Sequence, residues 1–502
     1  MRVGPGTRTV RGSDTLAPMT ADATAPAAAA SPARAGAWLV VVLGLLLPRL
    51  WRFEAVGEGV DEAYSVKATR ALLDGRFSYR DLNDFSVDAY QAKLTPVAEL
   101  TAVPFVVALG DRPLSFRLPS LLASLGLGVL VVAAARRLAG RTAAVATLLF
   151  VALDYRGVSY AQTHRYVAVE QLLLFGAFLA ALRAGRTGRV GPAVVAAGCG
   201  LAAVHAHLLA VLVLAPTTAA VFLAARPRDA TTRRRPLAGT VALALVCAHG
   251  GAMLLLFRAL GLERFFPAES LGAGLARGAG TTARAVAGLG PAAVLLGLPT
   301  AVLALRSRDA LRRAAGVVLL GAVAGFALGS LRLPLAPRYL LAVQPFAWLL
   351  AGVGCADLVA RWDTRPRRRA AVVALAALPG AALVAWYLGT GGGRDAELTI
   401  HAALRRAATP GEAVLWDVPA EDPYGRRPDA FPAVPHAHAL WEAADPDAAL
   451  DARGVRWVVR SSRSTPRPLW TPQALSRLEA VATSEARGLL GEQATLTLYR
   501  RR

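Results

Sequence analysis

Asp61-Glu62-Ala63-Tyr64 follows shortly after an apolar stretch, and a carboxylate at that depth suits a general base working at a membrane surface. A solvated charge at a helix N-terminus is the competing account of the same pair. Lys93-Leu94-Thr95-Pro96 sets a lysine immediately before an apolar helix with proline near its first turn. Such a lysine contacts phosphate from the bilayer surface or snorkels to headgroups. A chain that otherwise uses arginine almost throughout yet keeps lysine here tilts toward phosphate. Ser115-Phe116-Arg117-Leu118-Pro119-Ser120 puts Arg117 at the mouth of a span, as an anion contact or an interfacial anchor.

Tyr160-Ala161-Gln162-Thr163-His164-Arg165-Tyr166-Val167-Ala168-Val169-Glu170 brings Glu170 to the head of an apolar helix. An ionisable side chain there is expensive unless it is paired or faces a cavity. Arg165 is the candidate partner, and a purely structural ion pair is the alternative to a functional one. The segment Arg332 to Tyr339 offers Arg338 as a further anion contact, against the plainer account of Arg and Tyr anchoring at the interface. His205 and His207 flank a tight turn at a spacing that points them to different helix faces, so they are not read as metal ligands.

The elements that hold these residues are membrane spans. The chain has 502 residues, 55% hydrophobic and 18% charged, with 56 Lys+Arg against 34 Asp+Glu for a net charge of +22, and a mean hydropathy of +0.43. That is too apolar for a soluble enzyme of this size. Only Lys67 and Lys93 are lysines, and the arginines gather in short runs between apolar stretches, as topology signals rather than a nucleic-acid surface. Cys199, Cys247 and Cys355 each lie inside an apolar stretch, as small buried thiols rather than a disulfide or zinc set.

Eleven stretches of roughly spanning length occur near 36–51, 114–136, 142–154, 166–183, 190–204, 207–225, 237–258, 286–304, 314–332, 338–360 and 370–388. Arginine clusters at Arg136/Arg137/Arg141, Arg183/Arg186/Arg189, Arg226/Arg228/Arg233/Arg234/Arg235, Arg306/Arg308/Arg312/Arg313 and Arg361/Arg365/Arg367/Arg368/Arg369 each follow an even-numbered span. With the N-terminus inside, all are cytoplasmic. Pro96 to Gly110 is too short for a crossing and is read as an embedded or in-plane helix. The stretches 52–113, 154–165, 259–285, 333–337 and the chain after about 389 then face outward. The first of these is acidic, with Glu54, Glu58, Asp61, Glu62, Asp74, Asp81, Asp84, Asp88, Glu99 and Asp111.

Residues 1–35 read as a disordered cytoplasmic tail without a cleavable signal pattern, and 36–390 as the transmembrane domain. Residues 391–502 read as a small outward soluble α/β domain. Its short β-rich runs are Ala413–Val418, Val455–Arg460 and Ala494–Tyr499, with helical patterns near Asp395–Ala408 and Pro472–Ala486. Neither an internal repeat nor a match between the two halves of the membrane region is visible, which weakens a transporter reading. No Walker loop, Rossmann fingerprint, HExxH or Gly-x-Ser-x-Gly elbow occurs in a credible context. An enzyme of this kind takes an activated substrate from the lipid.

The chain resembles the membrane-embedded GT-C glycosyltransferases, in the branch of protein O-mannosyltransferases and lipid A aminoarabinose transferases (family 39/83-type). The resemblance is best over about the first 180 residues. It rests on Asp-Glu-x-Tyr at 61–64, Lys-x-x-Pro at 93–96, Arg-Leu-Pro-Ser at 117–120, Gln162…Arg165-Tyr166…Glu170, and Pro337-Arg338-Tyr339-Leu340-Leu341. It implies a polytopic α-helical GT-C-like fold and inverting transfer of a sugar from a polyprenyl-phosphate carrier at the outer face of the cytoplasmic membrane. The acceptor is a glycan, a glycolipid or a protein hydroxyl, with no nucleic acid involved. By the resemblance Asp61 is the catalytic base, Glu170 a second acid, and Lys93, Arg117 and Arg338 serve the donor phosphate, while Glu62, Tyr64, Arg165 and Tyr166 are further site candidates. The family's Lys-Pro-Pro-type segment is here Lys-Leu-Thr-Pro, and its second acid, commonly Asp, is here Glu170. No cofactor is certain. A divalent cation shared by Asp61 and Glu170 stays open, two carboxylates without a His or further acid making a thin metal site. A transporter or flippase for lipid-linked saccharides, or a noncatalytic scaffold binding polyprenyl phosphate, are the competing classes.

Overall fold

The structure is a computed structural model. It describes residues 32–51, 53, 60–75, 96–225, 237–259, 271–333, 335–362, 365–390, 395–409, 411–417, 433–434, 446–452, 454–461, 476–487 and 493–501. Lys93, the tail before residue 32 and the arginine run from Arg226 to Arg235 lie outside the described residues, as do the side chains of Asp61 and Tyr64. The chain divides into two compact units, Met1–Val40 and Val41–Arg502.

A helix stands at every apolar stretch. The helices are α1 (Pro32–Leu50), α2 (Val60–Leu73), α3 (Val97–Leu109), α4 (Pro113–Ala152), α5 (Tyr155–Ala161), α6 (Tyr166–Thr187), α7 (Val190–Ala206), α8 (Val211–Ala225), α9 (Leu237–Ala259), α10 (Leu271–Ala287), α11 (Leu298–Ala304), α12 (Ala310–Ser330), α13 (Gln344–Trp362) and α14 (Pro366–Thr390). A π turn, Ala293–Gly297, leads into α11, and a 3-10 turn, Pro337–Val343, leads into α13. Among the described residues six helices are long and apolar enough to cross a bilayer, and shorter apolar helices lie at Gly36–Leu50, Val97–Leu109, Val190–Ala206, Leu208–Ala224 and Ala293–Ala304. The protein is a polytopic α-helical membrane protein.

Two of the expected spans form one hairpin. α4 breaks at Ala139 and at Gly140, whose φ of 75° lies in the left-handed region that glycine adopts without penalty. Arg49 reports the fold-back: its Nε donates to Ser124 at 2.8 Å and its Nη2 to the Val151 carbonyl at 3.2 Å. A continuous helix would hold those two positions roughly 40 Å apart. Arg136, Arg137 and Arg141 are exposed around the break. The second arm ends at Ala152, so Asp154 stands in the connection to α5 rather than in the helix, where the apolar run alone had placed it.

α13 is the central element, with 89% of its apolar window buried inside the protein. A Cβ at Gly352 or Gly354 would collide with the Thr147 or Thr300 hydroxyl, so these glycines let α13 lie directly against α4 and α11. Phe175, Phe178 and Phe346 meet edge to face or tilted beside it, with centroids 5.0 to 6.0 Å apart.

After α14 come α15 (Asp395–Ala407), β1 (Ala413–Asp417), β2 (Ala433–Val434), α16 (Pro446–Ala452), β3 (Val455–Ser461), β4 (Leu478–Arg487) and β5 (Gln493–Arg501). They make a mixed sheet of order β2-β1-β3-β5-β4, with β1 parallel to β2 and β3, and β5 antiparallel to β3 and β4. Ile400, Ala403 and Leu404 of α15 pack on Val414, Trp457, Val459, Leu496 and Leu498. The helix expected over Pro472–Ala486 is instead strand β4 from Leu478. Its Leu, Glu and Ala favour a helix locally, but register pairing with β5, from Leu478 opposite Arg501 to Arg487 opposite Gln493, overrides that preference.

Candidate functional site

α2 begins at Val60, which puts Asp61 and Glu62 in its first turn, where the helix dipole favours carboxylates. Glu62 is buried and held from several sides. Arg117 donates from Nε to Oε1 at 2.7 Å and from Nη2 to Oε2 at 3.0 Å, a bidentate fork. The remaining nitrogen, Nη1, donates to the Phe53 carbonyl at 2.7 Å, and the His164 amide donates to Glu62 Oε1 at 3.0 Å. The Arg117 side chain is 0% exposed. All three Arg117 nitrogens are engaged inside the protein, the arginine at the head of α4 pointing into α2.

His164 extends this group. The Thr69 hydroxyl gives its proton to the Ser65 carbonyl at 2.8 Å, so His164 Nε2, 2.9 Å away, donates to Thr69. Gln162 braces the same connection, donating to the Arg49 and Trp51 carbonyls at 3.0 and 2.7 Å and accepting from the Tyr387 hydroxyl at 2.8 Å.

The next residue opens a second group. Arg165 is the N-cap of α6; its carbonyl accepts from Ser120 at 3.2 Å and its guanidinium lies 5.3 Å from the Tyr166 ring centre. Tyr166 stacks on His207 at 4.1 Å with planes 4° apart, His207 meets Tyr339 at 5.0 Å, and Arg338 lies 5.6 Å from the Tyr339 ring. Three rings thus lie in succession, with one guanidinium near Tyr166 and another near Tyr339, and such cation–ring contacts are favourable. Arg165, Tyr166, His207, Arg338 and Tyr339 are each half-buried. Beneath them Glu170 is 2% exposed, with His207 Nδ1 3.5 Å from its Oε1. The expected partner, Arg165, does not fill that place. Burial lowers the Arg165 guanidinium to about 10, with Arg338 adding like-charge repulsion against the favourable Tyr166 and Tyr339 rings.

Arg165, Tyr166 and Glu170 of one segment and Arg338 of another thus come together, while Glu62 and Arg117 form the adjoining buried pair. His207 and Tyr339 are the members that sequence reasoning missed. The signal for His207 was its place in the turn after α7, which frees it from the face His205 occupies; His205 pairs with His249 at 3.1 Å. Among the described residues no group of three His, Cys, Asp or Glu side chains could hold a metal ion. Glu170 and His207 supply two donors among the described residues, and the side chain of Asp61, the other carboxylate of the expected cation pair, lies outside them.

No protein-family model matches the chain, and no curated protein sequence does. Solved structures do. ArnT from Cupriavidus metallidurans bound to undecaprenyl phosphate aligns with a TM-score of 0.54 and 16% identity, over 92% of this chain and 98% of that one. The apo ArnT structure aligns with a TM-score of 0.52 over the same shares. The apo oligosaccharyltransferase of Archaeoglobus fulgidus aligns at 0.49 and 12% identity, over 92% of this chain and 73% of that one. At these identities the likeness is one of fold, and the chain has the GT-C fold.

Proposed function

We propose that this protein transfers a sugar from a polyprenyl-phosphate carrier to an acceptor hydroxyl, with inversion, at the outer face of the cytoplasmic membrane. The observation that carries the reading is the gathering of two half-buried arginines, Arg165 and Arg338, against the Tyr166, His207 and Tyr339 rings beside Glu170. A guanidinium offers paired N–H donors to phosphate oxygens, and the phosphate gains negative charge as it leaves the anomeric carbon. The GT-C fold supports the same reading, as does the binding of undecaprenyl phosphate by the similarly folded ArnT.

In this account Asp61, in the first turn of α2, takes the acceptor proton as the acceptor oxygen bonds to the anomeric carbon. The bond from that carbon to the phosphate oxygen breaks, and its electron pair leaves with the lipid phosphate. Arg165, Arg338 and Lys93 stabilise the charge that develops there. Glu170, with His207 beside it, orients a hydroxyl of donor or acceptor. Glu62 and Arg117 fix the start of α2, and so the backbone that carries Asp61.

The test is release of free polyprenyl phosphate from a panel of polyprenyl-phosphate sugars by the purified, lipid-reconstituted protein beside Asp61→Asn. One donor consumed by the wild type, and slowed about 10²- to 10⁴-fold in the variant, is the expected result. Equal consumption by Asp61→Asn removes Asp61 as base. No consumption of any donor, even with a crude envelope extract supplying acceptors, overturns the reading.

A further inference from the structure

Asp154 has no part in the chemistry above, yet it is buried where several elements meet. It caps α5, its Oδ1 accepting from the Gly157 amide at 2.7 Å. The same oxygen accepts from Gln344 Nε2 at 2.9 Å, and Oδ2 accepts from Trp348 Nε1 at 3.2 Å. Three N–H donors converging on one carboxyl group call for an ionised acceptor. The site is closely fitted: Gly290 approaches with φ of +95°, and a Cβ there would stand 2.7 Å from Oδ2.

The hydrogen bonds continue outward from Gln344. Its Oε1 accepts from Gln171 Nε2 at 3.1 Å, and the same Gln171 nitrogen donates to the Leu341 carbonyl at 2.6 Å. Gln171 follows Glu170 in the chain, Leu341 belongs to the 3-10 turn of Arg338, and α5 leads through Gln162 to Arg165. One carboxylate therefore sits at the root of the three segments that carry Arg165, Glu170 and Arg338.

We propose that Asp154 is a positioning residue for the transfer reaction, its carboxylate setting the spacing of Arg165, Glu170 and Arg338 through Gln344 and Gln171. The inference rests on the donor-phosphate reading above. The charged and titratable groups around Asp154 are Arg49 of α1 and Arg156 and Tyr155 of α5. Burial pushes the Asp154 carboxyl up to about 6, against the pull of its hydrogen-bond donors and of both arginines. The carboxylate is thus present at neutral pH and gains a proton as pH falls through about 6. The protonated acid brings its own donor to an atom set that is all donors.

The experiment compares wild type with Asp154→Asn and Gln344→Leu in nanodiscs, reading undecaprenyl phosphate affinity, donor turnover from pH 5 to 9, and the thermal midpoint. The second variant leaves the Asp154 cap on α5 in place, so it keeps the test open if Asp154→Asn does not fold. Both variants are expected to bind undecaprenyl phosphate and turn over donor about tenfold to a hundredfold less well, as for a misplacement near 1 Å. The wild-type acid limb near pH 6 disappears in Asp154→Asn. Wild-type affinity, rate and acid limb in a folded variant overturn the inference and leave the donor reading intact. A wild type that neither binds undecaprenyl phosphate nor consumes a donor overturns that reading, and this inference with it.

Discussion

His164 and Arg165 are neighbours in the chain, yet they belong to groups built on opposite plans. On one side Glu62 and Arg117 are a buried pair in which every Arg117 nitrogen has an internal acceptor. On the other, two half-buried arginines lie against a series of rings beside one carboxylate. Charge matched internally makes a support. In the function proposed above, the ring-borne arginines make the seat for the donor phosphate. The difference separates arginines that the sequence presents alike, since Arg117, Arg165 and Arg338 all stand at the heads of apolar helices.

Breaking the closed group has the largest expected effect. Arg117→Ala leaves Glu62 as a buried, uncompensated charge and costs about 3 to 5 kcal/mol, read as a lower denaturation midpoint in detergent. Glu62→Leu with Arg117→Met recovers most of that loss in stability while activity stays low, because the start of α2 loses its tie to the Phe53 carbonyl and the His164 amide. Arg165→Ala and Arg338→Ala act the other way round. The fold loses no more than about 1 kcal/mol of cation–ring contact at either half-buried position, while undecaprenyl phosphate binds more weakly by about 1.5 to 3 kcal/mol for each lost charged contact. If either substitution lowers the midpoint as far as Arg117→Ala does, the contrast between support and seat fails.

The smallest effect belongs to a half-exposed carboxylate just before β1. Glu412 accepts from Trp457 Nε1 at 2.7 Å and from the Thr409 amide at 2.9 Å, which together lower its carboxyl below the ordinary range. A lowered carboxylate gives stability that is complete above the ordinary carboxylate range and is lost as pH falls through the lowered value. Solvent screens this contact, so Glu412→Gln costs under about 1 kcal/mol, followed by Trp457 fluorescence against urea.

Much of the membrane body was legible because its signals are long. Apolar runs fix where helices lie, and the break at Ala139–Gly140 falls beside the arginines Arg136, Arg137 and Arg141, between two of the expected spans. The strand β4 was not legible, because its residues are good helix formers and only the partner strand β5 decides the matter. The candidate site divides in the same way. Tyr166 and Arg338 could be named from their places at helix heads, but their meeting depends on His207, far away in the chain and ordinary in its local setting. Asp154 was hidden at the end of an apolar run, and only the helix end at Ala152 brings it into view. Which way an arginine at a helix head turns, inward as Arg117 or toward the rings as Arg165, is decided by the neighbouring element and not by the arginine's own surroundings in sequence.

The enclosure of α13 also orders events in time. Arg338, Gln344 and Trp348 emerge from the ribosome only after two thirds of the chain, long after Glu170 and Gln171. Until α13 slides between the α4 hairpin and α11, Asp154 lacks two of its three donors and Arg165 lacks its opposite cation. A chain stopped after α12 already holds most of its apolar helices but lacks Arg338, Tyr339, Gln344 and Trp348.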